Sequence, residues 1–102
     1  MDPRTKLWKH QVRLVRAAVN RRDPMGLIKS GFPDDEYDPE LPGVMRAIAD
    51  SASSKQLADR IRQVFVHMFG NDYWPTNDLF ESLAQDLWNL RESAEWTTAG
   101  DH

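Results

Sequence analysis

The side chains best able to do chemistry crowd into one short segment. Phe32-Pro33-Asp34-Asp35-Glu36-Tyr37-Asp38-Pro39-Glu40 holds five acids in nine positions. Asp34, Glu36 and Asp38 alternate as the first oxygen ligands of an EF-hand calcium loop do. Pro39, however, stands where such a loop needs glycine for its sharp turn, and Met45 stands where a bidentate glutamate would close the site. General acid–base catalysis asks for two carboxylates in unlike environments, one of them desolvated to raise its pKa. These acids share one polar loop with nothing apolar to separate their roles. Two readings remain. Either Asp38 or a neighbour caps the helix that follows while the other acids favour its positive end, or the carboxylates form a water-facing surface for a basic partner.

Other chemistry is sparse. The chain has no cysteine, which excludes disulfides, thiolate metal sites and thiol catalysis together. His10, His67 and His102 have no neighbour at metal-ligand spacing and read as surface or boundary residues. No nucleophile elbow, phosphate loop or dinucleotide fingerprint occurs. The sequence therefore predicts no catalytic residue, no metal and no cofactor.

The net charge of −3 hides an asymmetry. Residues 1–30 carry eight basic groups against two acids, whereas residues 31–102 carry five basic groups against fourteen acids. Such polarity points to internal complementarity or to two faces for different partners. Lys6, Lys9, Arg13 and Arg16 lie on one side of the first predicted helix and could follow a phosphate backbone. The downstream acids oppose that reading, and no aromatic side chain is expected among these cations. Four tryptophans are a heavy load for 102 residues. Trp8 is placed in the core, while Trp74 and Trp96 are expected to be partly exposed, as interface residues often are.

Positioning these residues falls to four predicted helices. The first spans about Arg4 to Arg21, with Trp8, Val12, Val15 and Val19 in one stripe, and Asp23-Pro24 ends it. Residues 24–40 form a long connector. Its Met25, Leu27, Ile28, Phe32 and Tyr37 predict that it packs down on the core. The second helix lies between about Leu41 and Ala52, regular from Pro42 after a looser turn, and buries Leu41, Val44, Met45, Ile48 and Ala49. Ser53 opens the third with the capping-box spacing to Gln56. Leu57, Ile61, Val64, Phe65 and Met68 line that helix, and Gly70 ends it. Thr76 or Asn77 caps a fourth, running to about Glu95 with Leu83, Leu87 and Leu90 inward. The expectation is an all-α, four-helix compact array with a long ordered connector between the first two helices. It forms one domain over residues 1–96, with a frayed polar tail at 97–102. No run of residues is apolar enough to span a membrane, and residues 1–6 lack the apolar core of a secretory leader.

Asp23-Pro24-Met25-Gly26-Leu27, then Gly31 to Glu40, and later Val64-Phe65-Val66-His67-Met68-Phe69-Gly70 together resemble the YugE-like family of small bacterial proteins. The likeness covers about residues 8–70. It implies a compact all-helical fold and a bacterial, cytoplasmic setting, and it supplies no catalytic residue.

From sequence, then, the chain is expected to be a non-enzymatic domain that binds an unidentified protein with a basic surface, as an adaptor, an immunity-type inhibitor or an antitoxin-like inhibitor would. The expected contact residues are Asp34, Asp35, Glu36, Asp38 and Glu40, with Trp74 in support. The alternative is nucleic-acid binding through Lys6, Lys9, Arg13 and Arg16. A homodimer pairing one copy's basic helix with the other's acidic connector is an arrangement the charges allow.

Overall fold

A computed structural model describes residues 3–70 and 77–98. Four helices form: α1 (Pro3–Arg22), α2 (Leu41–Asp50), α3 (Ser54–Phe69) and α4 (Asn77–Arg91). Short 3₁₀ turns at Asp38–Glu40 and Ala94–Thr97 precede α2 and follow α4. Among the described residues there is no strand, and no helix is long and apolar enough to cross a membrane. The array is all-α and compact, with a radius of gyration of 13.5 Å, close to the roughly 13 Å of a folded chain this long.

Local chemistry sets most helix ends. Asp23 adopts φ 49°, a left-handed conformation that aspartate tolerates better than most residues. Its amide donates to the Val19 carbonyl at 2.7 Å and closes α1. Ser53 Oγ accepts from the Gln56 amide at 3.1 Å, and Gln56 Oε1 accepts in return from Ala52, a capping box shifted by one residue. Gly70, at φ 84°, ends α3 as expected. α4 stops at Arg91, short of the expected Glu95, because Ser93 turns extended and its Oγ donates to the Leu90 carbonyl. The following 3₁₀ turn is held to α1, where His10 donates to the Glu95 carbonyl and Gln11 to that of Trp96.

The core draws on every helix and on the connector. Phe65 of α3 sits at its centre, edge-on to Tyr37, stacked with Phe69 and tilted against Phe80 of α4. Tyr37 and Met25 are buried, so the connector packs inward at those points. α2 and α3 approach so closely at Gly43 that an added Cβ would lie 3.1 Å from both Val64 methyls. A glycine inside a helix costs about 0.5–1 kcal/mol relative to alanine; here it makes room for the facing side chain. Arg91 of α4 donates to the Ile48 and Ser51 carbonyls, satisfying acceptors that the end of α2 leaves open.

Four expectations about burial are corrected. Trp8 lies on the stripe that continues from Val15 and Val19, yet it is 48% exposed. Full burial on α1 begins only at Val15; the 3₁₀ turn after α4 reaches His10 and Gln11 but leaves Trp8 uncovered. Phe32 sits at an exposed bend of the connector. Met68 and Ala49 lie on the outer sides of α3 and α2, away from the centre. Periodicity gives the direction a side chain takes; the neighbour's reach decides whether anything covers it. The turn before the fourth helix, its Thr76 cap and most of the polar tail lie outside the described residues.

Candidate functional site

The connector begins with a lock. The Asp23 carboxylate accepts from the Tyr37 hydroxyl at 2.6 Å and from the amides of Ile28 and Lys29 at 3.0 and 2.9 Å. The Tyr37 oxygen in turn accepts from the Met25 amide at 2.9 Å. Burial pushes the Asp23 pKa up, but the Tyr37 hydroxyl and the nearby amides outweigh it and hold the pKa below the ordinary aspartate value. Burial and the Asp23 hydrogen bond push the Tyr37 phenol well above its usual range. Every group in this set has its partner, so the lock is structural.

The five acids beyond it meet four different fates. Asp34 and Asp35 face water, and Glu36 is half-buried. Asp38 is gripped by Arg16 through two 2.9 Å hydrogen bonds, a bidentate pair that joins the connector to α1. Glu40 is only 4% exposed. Asp38 and Glu40 therefore do not belong to an open acidic face: one carboxylate is already neutralised by a cation, and the other is turned inward. Neither caps α2. The position before that helix is Glu40 itself, in helical geometry and with no side-chain cap, because the 3₁₀ turn runs straight into the helix. Pro42 in the first turn removes one donor that would otherwise need an acceptor.

Glu40 lines a groove of about 430 Å³ between α2 and α3. Gly43, Ala47 and Val64 form the floor. Arg46 and Asp50 on α2, and Arg60, Gln63, His67 and Met68 on α3, stand along the sides. The helices run antiparallel with Gly43 opposite Val64. Glu40 and Pro39 therefore share one end with His67 and Met68, and Asp50 and Arg60 mark the other. Arg46, Asp50 and Arg60 make no ion pair with another described residue. Met68, at the Glu40 end, is 47% exposed. At the same end, Glu40 Oε2 is buried and has no hydrogen-bond partner among the described residues. Burial raises the Glu40 pKa; its own amide opposes this, and the carboxylates of Glu36 and Asp38 add to the rise.

A second depression, between α3 and α4, is lined by Lys55, Asp59, Arg62, Glu81 and Gln85. It is polar, and its Asp59 and Arg62 already pair at 3.4 Å. The α2–α3 groove is the better candidate, because it joins an apolar floor to unpaired charges and an unsatisfied carboxyl.

On α1, Arg16 is committed to Asp38, while Lys6, Lys9 and Arg13 remain exposed. Trp8, exposed between Arg4 and Lys9 around the helix, supplies the aromatic neighbour that periodicity had placed in the core. Trp74 lies outside the described residues. The groove itself went unread in the sequence. Its clearest trace is Gly43, a glycine one residue inside a proline-started helix, where close approach of a neighbour is the usual reason.

No family model, curated protein or solved structure matches the chain.

Proposed function

We propose that the chain is a protein-binding domain that receives a segment of a partner in the groove between α2 and α3. What carries this reading is the combination, in one concave strip, of an apolar floor at Gly43, Ala47 and Val64, the open Met68, and Arg46, Asp50 and Arg60, which make no ion pair with another described residue. Interfaces of moderate affinity are built this way, with an apolar centre and a polar rim that fixes register. The exposed Asp34 and Asp35 and the half-buried Glu36 belong to the connector that feeds the Glu40 end of the groove. They give that end a negative potential that draws in a partner with basic residues. The role is non-enzymatic: binding neutralises or positions the partner, as adaptor and inhibitor domains do.

Selection of random peptides on the immobilised chain, followed by amide-shift mapping of those enriched, tests the reading. The expected result is a set of peptides that shift residues 40–47 and 60–68 and that lose binding on Met68→Asp. Enrichment of nothing, or shifts confined to other surfaces, would overturn it.

One observation favours a second reading. The exposed Trp8 lies between the exposed Arg4 and Lys9 around α1, which sets a stacking surface beside cations, as single-strand nucleic-acid sites do. A salt-sensitive affinity for single-stranded oligonucleotides that falls on Trp8→Ala would support it; indifference to both salt and that substitution would remove it.

A further inference from the structure

The buried Glu40 carboxyl gives the groove a chemical preference. Resting on the groove reading above, we infer that Glu40 is the anchor point for a lysine side chain of the bound segment, whose ammonium group donates to the unpartnered Oε2. Two other buried polar atoms among the described residues also lack a partner, Asn20 Oδ1 and Arg62 Nε. Each belongs to a side chain engaged elsewhere, since Asn20 Nδ2 donates to the Asp34 carbonyl and Arg62 Nη1 to Asp59. Glu40 differs in kind. It is a carboxyl more than nine-tenths buried, at the wall of an open groove, with only its own amide to serve it. A buried acceptor left empty costs stability, and more if it is charged. A ligand that fills it recovers that cost on binding.

Three features select lysine over other donors. First, the neighbouring charges favour a cation: Glu36 and Asp38 both act on Glu40, and of the two only Asp38 has an arginine. Second, a single free oxygen suits a compact ammonium group, whereas a guanidinium fork seeks two parallel acceptors. Third, Pro39, Gly43 and Met68 offer apolar surface at that end for a four-carbon stem, and Met68 is flexible enough to swing aside as the ammonium enters.

The test is a double-mutant cycle using a groove-binding peptide from the selection described above. Wild-type chain and Glu40→Gln are each titrated with that peptide and with its lysine→norleucine form, and the Glu40 side-chain carboxyl carbon is followed by NMR in the wild type. The expected result is that norleucine weakens binding to the wild type about tenfold or more and leaves binding to Glu40→Gln nearly unchanged. The Glu40 carbon resonance should shift on binding only with the lysine peptide. Peptides that map to the groove yet bind equally in all four combinations, or that carry no lysine, overturn the anchor and leave the groove standing. Peptides that bind elsewhere, or none at all, overturn both.

Discussion

Asp23 and Glu40 stand at the two ends of the connector, one just before it and one closing it, and they have opposite surroundings. Asp23 has a hydroxyl and two amides directed at its oxygens, and its pKa falls. Glu40 has its own amide and two neighbouring carboxylates, and its pKa rises. The first arrangement stabilises the fold; the second costs stability and leaves an acceptor open at a groove. Glu40 is buried and Asp23 half-buried, but their partners define the roles: a carboxylate whose oxygens are satisfied is architecture, and an unsatisfied buried one at a concave surface is a site.

The comparison breaks most visibly at its satisfied end. Asp23→Ala removes the acceptor for Tyr37 and for two amides, and it forces alanine into a left-handed conformation. A loss on the order of 3 kcal/mol is expected in urea unfolding. A loss below about 1 kcal/mol would mean that the connector is not held by this lock. Tyr37→Phe keeps the ring against Phe65 but deprives Asp23 and the Met25 amide of the hydroxyl. It should cost about 1–2 kcal/mol, and amide exchange should quicken at residues 25–29 while the helices stay protected.

What could be read from the sequence was whatever local chemistry decides. Ser53 with Gln56, Gly70, and the Asp23-Pro24 stop all act within a few residues of themselves, and each is found where its residue type predicts. Tyr37 was read correctly as packing inward, but the same reasoning applied to Phe32 in the same connector, which is exposed. Glu40 was not legible. Its residue type matches Asp34 and Asp35, and only the packing of α3 beside it separates a buried acid from two exposed ones. The Arg16–Asp38 pair spans 22 positions, and the groove depends on how closely Gly43 lets Val64 approach. Trp8 shows the same limit from the apolar side: its face was legible, and the extent of the elements packed on that face was not.

At the unsatisfied end the sign of the effect reverses. Glu40→Gln keeps the shape and removes a buried ionisable group, so stability should hold or rise by up to about 1 kcal/mol. A clear loss, comparable with that of Tyr37→Phe, would show that the Glu40 carboxylate has a structural partner after all and is not an open acceptor.

The smallest and sharpest contrast is in pH dependence. Asp23 and Asp86 both have folded pKa values below the ordinary 3.8. For Asp86 the cause is first the Arg22 hydrogen bond, opposed by burial, and then the charges of Arg22 and Arg21. The stability these two contribute is present above the ordinary value and is lost as pH falls through their lowered folded values. Glu40 runs the other way. Its folded pKa lies above 4.5, so its contribution is complete below that value and is lost as pH rises through the folded one. Burial is the first cause, and the charges of Glu36 and Asp38 add to it. Urea midpoints from about pH 3 to about pH 7 should therefore fall at both ends. Glu40→Gln should flatten only the upper limb and Asp23→Asn only the lower. If one substitution flattened both limbs, the two acids would be titrating as one coupled group, and the division of the connector into a lock and an open acceptor would be lost.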